Sequence, residues 1–514
     1  MTGDLGAPAD ELVRRVRTVL DPNTPGTWQV EMTSGAMQFR TFPDHAAGFG
    51  SAHDDLVADY ELLRDLEQSL RPPGDDRPLL VEVSVDGSGG AAFRHAFATS
   101  STTSDTVVLD PFHRHPNHPA AGMPRPEAAR PTGEPTDPAV LRHVGELVAR
   151  FTDHHRRGSG SDPEFGEPRT EEQLAEAERA MGLRLPEDVR ALYRLIGHDP
   201  RESGLLGRYS LMPLDTVVSE YLEFLPGAWN WHEDLFGLNR VVLETHPPGV
   251  VRRVSRDDWW VIIASDHAGN WCAVDLDPGP AGRPGQLLVY GRDYHGPFGY
   301  LDSSVTARMT AVLDLLDRGE VESGGWLDES LPDGDDPYSA SLNLEGRSLP
   351  DAVRGIRSPD TVQQLYLNDA DELDLRVLTA TPRVLELSVN RAGRVDLRLP
   401  EGVEALHLEA READLAALAG HPTLWDLTVK RLPVRVTDLA ALPALSFVDL
   451  SEAVVDDVAA LADLDVRVLV LNGDQWAELL AAGRLPARLA AARFAGDARL
   501  ADLVEWSERL TSAG

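Results

Sequence analysis

Leu424-Trp425-Asp426-Leu427-Thr428-Val429 and, one step later, Leu445-Ser446-Phe447-Val448-Asp449-Leu450 set a frame in which an apolar residue is followed three and five positions on by two more. The same frame is filled by Val362, Leu365 and Leu367, by Val384, Leu387 and Val389, by Val403, Leu406 and Leu408, and by Val466, Leu469 and Leu471. From Leu365 its middle position recurs at steps of 22, 19, 21, 21 and 21 residues. A weaker unit precedes at Leu342 and Leu344, and a degraded one follows near Leu489 and Phe494. Alternation of apolar and other residues within each unit marks a short strand with one face buried, since side chains along a strand point to opposite faces in turn.

A period of this length, with runs such as Asp414-Leu415-Ala416-Ala417-Leu418 and Asp438-Leu439-Ala440-Ala441-Leu442 between strands, is the leucine-rich-repeat signature. It predicts an α/β solenoid over 337–510, with a curved parallel sheet from about Asn343 to Leu471 and the named leucines inside. Residues between the core leucines then line a concave face, one per repeat: Asn343, Tyr366, Ser388, His407, Thr428, Asp449 and Val470. That ladder is varied and mostly polar. Tyr366, His407 and Asp449 are its candidate partner contacts.

The whole chain has 514 residues, more than one core supports, so about three domains are expected. Hydrophobic residues at 42% and charged residues at 26% suit an ordinary soluble protein. Acidic residues outnumber basic ones 84 to 48, for a net charge of −36. That balance disfavours nucleic acid, whose phosphates need a basic footprint, and favours capture of a basic protein. No apolar stretch has the length of a membrane helix, and Met1 to Asp10 carries no export signal. The single cysteine, Cys272, cannot make an internal disulfide, which fits a reducing cytoplasm.

Residues 1–100 read as an α+β domain: a helix around Glu11 to Leu20, a strand at Trp28 to Met32, a second helix carrying Leu56, Tyr60, Leu63, Leu66 and Leu70, and a hairpin from Leu79–Val85 through Asp86-Gly87 to Ala91–Phe97. That order, with Trp28 opening the first strand and Leu80-Val81-Glu82-Val83-Ser84-Val85-Asp86-Gly87-Ser88-Gly89 before Phe93, resembles the YezG-like family of small immunity proteins. Residues 101–163 read as a Pro-, His- and Ser-rich linker with a helix at 140–154. His113, His115 and His118 lie close together there, but no cysteine or paired carboxylate completes a metal set, so a solvated loop is expected.

The third region, 164–325, opens with Thr170 and Gln173 in reciprocal capping spacing and continues through Gly182-Leu183-Arg184-Leu185-Pro186-Glu187-Asp188-Val189-Arg190-Ala191-Leu192-Tyr193 and Ile196-Gly197. Strands are expected at Trp259–Ala264, Trp271–Leu276 and Gln286–Tyr290, and a closing helix at about Ser303 to Arg318. These strings, with Leu211-Met212-Pro213-Leu214, Ile263-Ala264-Ser265-Asp266-His267-Ala268-Gly269-Asn270 and Ala273-Val274-Asp275-Leu276, resemble the SUKH superfamily of fungal cell-wall regulators and bacterial immunity proteins. Pro186 would start a helix, Gly197 end one and Gly269 turn a hairpin, so the motif identifies a fold. The resemblance implies protein binding, typically neutralisation of a toxin, with no catalytic residues and no cofactor.

The fold class is thus α+β multidomain: an N-terminal α+β domain, a central SUKH-like domain and a C-terminal leucine-rich-repeat solenoid. In the central domain an aromatic and acidic insertion supplies candidate contacts Trp229, Trp231, Glu233 and Asp234, joined by Asp257, Asp258 and Asp266 as an acidic rim. The expected function is non-catalytic binding of a basic toxin by an immunity protein, the alternative being a regulatory scaffold. No phosphate loop, Gly-x-Ser-x-Gly or His-Glu-x-x-His occurs, Cys272 reads as a buried structural thiol, and a His267–Asp266 pair suits a hairpin loop as well as acid–base work. The sequence leaves oligomeric state open.

Overall fold

The computed structural model describes residues 7–19, 25–32, 37–42, 53–75, 77–88, 90–97, 105–110, 113, 130–223, 241–254, 257–319, 341–345 and 348–513. In the repeat region the strands Ser341–Glu345, Gln364–Asn368, Glu386–Asp396, Ala405–Ala413, Asp426–Val434, Phe447–Val455, Val468–Asn472 and Ala491–Ala495 lie side by side in sequence order, each parallel to the next. Register aligns Leu342, Leu365, Leu387, Leu406, Leu427, Val448, Leu469 and Ala492 in one file. That file enters a single apolar core. The segments between strands supply its other wall: short 3₁₀ turns at Leu375–Ala380, Leu415–Leu418 and Val458–Asp463 bury Leu375, Leu378, Leu415, Leu418 and Leu461. Each turn starts on an aspartate, Asp374, Asp414 or Asp457, whose carboxylate accepts a main-chain N–H two or three residues on. An Asp-apolar-x-x-apolar phrase therefore fixes both the turn and its inward face.

Two features of the stretch read as a linker differ from expectation. Strand Thr106–Val108 pairs antiparallel with Ala491–Ala495, so Val107 lies opposite Ala492 and extends the apolar file. Helix Pro138–Ser159 is longer than its apolar periodicity indicates and buries Val144, Leu147 and Phe151 in the core of the central domain. Neither segment is a spacer. The strand is missed because three residues at a sheet edge carry little pattern, whereas the helix shows in its periodicity over 140–154 and only its full length and its docking do not.

The central domain is built as its caps dictate. Thr170 and Gln173 exchange hydrogen bonds with each other's backbone N–H groups, and helix Glu171–Met181 follows and ends at Gly182 in the left-handed region. Helix Glu187–Leu195 buries Val189, Leu192 and Tyr193. Gly197 has a different role from the one expected: the helix is already finished, and a Cβ at Gly197 would lie 2.0 Å from the Glu167 carbonyl oxygen, so only glycine lets the two backbones meet. A five-stranded antiparallel sheet runs Tyr294–Asp302, Gln286–Gly291, Asn270–Asp275, Trp260–Ser265, Ser210–Leu211, and helix Val305–Arg318 starts on Ser304. The outer two strands carry no clear alternation and are additional to the three expected.

In the N-terminal region, helices Ala7–Val19 and His53–Leu70 accompany an antiparallel sheet ordered Met37–Phe42, Pro25–Met32, Leu79–Asp86, Ala91–Phe97. Strand Met37–Phe42 is additional to the expected helix, strand, helix, hairpin. This sheet meets the far end of the parallel stack through Glu82, which is fully buried: its carboxylate accepts from Gln29 Nε2 at 3.0 Å, from Arg94 Nη1 at 3.0 Å and from the Leu500 N–H, at the start of helix Leu500–Ala513, at 2.7 Å. The carboxylate thus answers the positive end of that helix.

Candidate protein-binding faces

Trp229, Trp231, Glu233 and Asp234 lie outside the described residues. Asp257 and Asp266 do not form an exposed rim. Asp257 is 4% exposed; its Oδ1 accepts the Trp259 N–H at 2.9 Å, and burial, against that hydrogen bond and with Asp277 and Asp275 adding to it, pushes its carboxyl up to about 7. Asp275, equally enclosed and bonded to Gln286 Nε2 at 2.9 Å, is pushed up to about 7 by the same burial. Asp266, 7% exposed, holds the hairpin turn: it accepts from the N–H groups of Ala268 and Asn270 and from Asn270 Nδ2. Its burial raises the carboxyl, but Asn270, Ala268 and Arg208 outweigh that and leave it lowered. Short acidic side chains at turns pass for surface in a sequence because turn chemistry and rim chemistry use the same residues. Asp258 is partly buried, and its carbonyl accepts from the Tyr221 hydroxyl at 2.9 Å.

His267 sits at a positive φ of 56°, its N–H donating to Ser265 Oγ, while the neighbouring carboxylate is spent on the turn. The thiol of Cys272 is buried, and burial pushes it up to about 12, so a thiolate is disfavoured. Of the three linker histidines only His113 is described, and the described residues contain no His, Cys, Asp and Glu group arranged for a metal ion.

The parallel stack brings the remaining candidates together. Register places Asn343, Tyr366, Ser388, His407, Thr428, Asp449 and Val470 in one row on the face opposite the leucine file. The row is closed in parts: Ser388, Thr428 and Val470 are buried, and Tyr366, His407 and Asp449 are partly exposed. A second row, two positions earlier in each strand, is not evident from the repeat frame alone. It holds Gln364, Glu386, Ala405, Asp426, Phe447 and Val468. Gln364 Nε2 donates to Glu386 Oε2 at 2.9 Å, and the His407 ring has Nδ1 4.0 Å from Glu386 and Nε2 4.0 Å from Asp426. Both acids are almost fully withdrawn from solvent. The available signal is polarity at the position before each core leucine, at Gln364, Glu386 and Asp426.

A strap from the central domain covers one end of this face. Val241 and Leu243 pack with Ala405, Trp425, Phe447, Val468 and Val470. Gln363 and the Glu244 main chain exchange hydrogen bonds at 2.6 and 2.7 Å, Arg383 pairs with Glu244, and Arg253 reaches Glu404 at 2.7 Å. Arg252, next along the strap, turns back to Asp277 at 2.8 Å. The polar row and the central domain therefore belong to one continuous surface.

The central region is a helix-flanked antiparallel meander strapped to a stack of parallel strands. Residues 168–306 match the SMI1 / KNR4 family (SUKH-1), so the central region is a SMI1/KNR4 domain. The chain is similar to the cell wall assembly regulator SMI1 of Saccharomyces cerevisiae, 27% identical over 212 residues, covering 35% of this chain and 40% of that protein. It is likewise similar to the cell wall biosynthesis/cell cycle regulator smi1 of Schizosaccharomyces pombe, 31% identical over 151 residues, covering 28% and 29%. A glucan synthesis regulatory protein of Neurospora crassa is 28% identical over 199 residues, covering 32% and 35%. The chain thus spans less than half the length of each relative. No helix among the described residues is long and apolar enough to cross a membrane.

Proposed function

We propose that this protein is a non-catalytic, cytoplasmic regulatory scaffold that binds a basic protein partner on the polar face of its parallel stack, a stack we take to be a leucine-rich-repeat solenoid with that face concave. The observation that carries the reading is the row in which Glu386 and Asp426 flank His407, bordered by Tyr366 and Asp449 and tied to the SMI1/KNR4 domain by the strap. Carboxylates held on a shielded sheet face attract a cationic group more strongly than freely solvated ones. The fungal relatives are described as regulators, which favours a scaffold over the toxin-neutralising role that the family resemblance first implied. An immunity-type N-terminal unit of YezG-like kind stays a proposal supported by element order alone.

Quantitative affinity capture from the native host tests this reading. Wild type and a Glu386→Gln/Asp426→Asn double variant serve as baits, with Lys430→Ala, a partly exposed position at mid-strand that pairs with Glu452, as control. Partners enriched by wild type and the control but lost about tenfold or more with the double variant are expected. Equal recovery with all three baits overturns the assignment of this face.

A further inference from the structure

Between helices Gly473–Ala481 and Leu500–Ala513, at the opposite end of the stack from Ser341–Glu345, lies a cleft of about 510 Å³. Its wall is aromatic: Trp476 and Trp506 stand tilted with ring centroids 5.6 Å apart, and Phe494 meets Trp506 edge-on at 5.5 Å. Its mouth is acidic, with exposed Asp474, Asp497, Asp502 and Glu505 against one cation, Arg509, 3.9 Å from Glu505. The Trp476 indole donates to the Arg493 carbonyl at 2.9 Å. That of Trp506, a side chain 4% exposed, finds no acceptor among the described residues.

The walls are fixed before any ligand arrives. Asn472 and Gln475 form a reciprocal cap, and Gln475 Nε2 also donates to the Leu450 and Ala453 carbonyls. A Cβ at Gly473 would come within 2.8 Å of the Phe494 ring, so glycine lets the helix start lie against it. The other helix starts on Glu82.

We infer that this cleft binds an arginine or lysine side chain presented by an extended segment of a partner protein. The cation lies among the four acids, and its aliphatic stem lies along the apolar floor to which Leu480, Phe494 and Trp506 contribute. Aromatic faces attract cations electrostatically, and an acid-rimmed mouth raises their local concentration. The inference does not rest on the sheet face, which uses other residues.

Calorimetric titration of the full chain with a blocked Ala-Arg-Ala tripeptide, and with the norleucine and glutamate counterparts, tests it. The arginine peptide is expected to bind saturably and at least about fivefold more tightly than the norleucine peptide, with the glutamate peptide not binding. Asp502→Asn/Glu505→Gln, two exposed positions whose change leaves the core intact, should weaken the arginine peptide about fivefold. Trp506→Phe, which removes the pyrrole ring together with its N–H, should weaken arginine and norleucine peptides alike, because it shortens the apolar floor along which the stem lies; should that variant fail to fold, the carboxylate pair decides. Absent saturation, indifference to peptide charge, or full affinity in the carboxylate variant overturns the proposal. So does self-association in sedimentation that the carboxylate variant abolishes, since a second copy is then the occupant.

Discussion

In the SMI1/KNR4 domain, Arg190 and Glu178 are sealed in the core and answer each other at 2.6 Å, with Glu171 2.8 Å from the same guanidinium. In the parallel stack, Glu386 and Asp426 are as well hidden, yet they line a sheet face and have an imidazole 4.0 Å from each. The first arrangement joins elements of one domain: Glu178 also accepts the Leu185 N–H, and Arg190 donates to the Glu134 carbonyl. The second lies on a sheet face beside a partly exposed ring. The first charge set lies within one domain's core, whereas the second stands in a row whose Tyr366, His407 and Asp449 are partly exposed.

Arg190→Met breaks the comparison most sharply, because it leaves Glu178 enclosed without its guanidinium. A loss of about 4 kcal/mol in chemical denaturation is expected, and a loss below about 1 kcal/mol means that the pair is not structural. Leu427→Ala, at the centre of the apolar file, should cost about 3 kcal/mol and should appear in the unfolding of the stack while the central domain keeps its own transition. A single shared transition for both variants would show the two regions to be one cooperative unit.

A pH series sharpens the contrast further. The folded carboxyl of Asp257 is raised to about 7 from an ordinary value of 3.8, so its stabilising contribution is complete below 3.8 and lost as pH rises through about 7. Asp257→Asn should match wild type near pH 4 and exceed its stability by about 4 kcal/mol near pH 8, since each tenfold change in proton affinity on folding is worth about 1.4 kcal/mol and the rise from 3.8 to about 7 spans roughly three such changes. Parallel curves at both pH values refute the assignment. The smallest effect belongs to Lys430→Ala: its 2.7 Å pair with Glu452 is solvated on both sides, so a change below about 0.5 kcal/mol is expected in a denaturant melt.

Periodicity carries much of this architecture into the sequence. The steps between Leu365 and Leu469 reappear as parallel register, and the Thr170–Gln173 pair reappears as a cap, because both are local patterns with direct structural meaning. Strands Thr106–Val108 and Met37–Phe42 are not legible, since a strand's place at a sheet edge is set by a distant partner rather than by its own residues. The candidate face is half legible. Tyr366, His407 and Asp449 follow from the ladder, but Glu386 and Asp426 need register, because an acid beside a core leucine reads as ordinary solvent-facing polarity until its neighbours are known. Asp257 and Asp266 fail for the opposite reason: acids that satisfy turn N–H groups resemble acids that face a partner.

The pairing of Thr106–Val108 with Ala491–Ala495, and of Glu82 with Leu500, also sets an order of assembly. A ribosome releases the early strand and the early carboxylate long before it makes their partners, and the intervening domain and most of the parallel stack can form in the meantime. Until then one sheet edge stays unpaired and one acid stays open to water, which is the condition in which edges join neighbouring chains. Closure of the stack is therefore a late event, and the interval before it is when this chain most needs protection from its own copies.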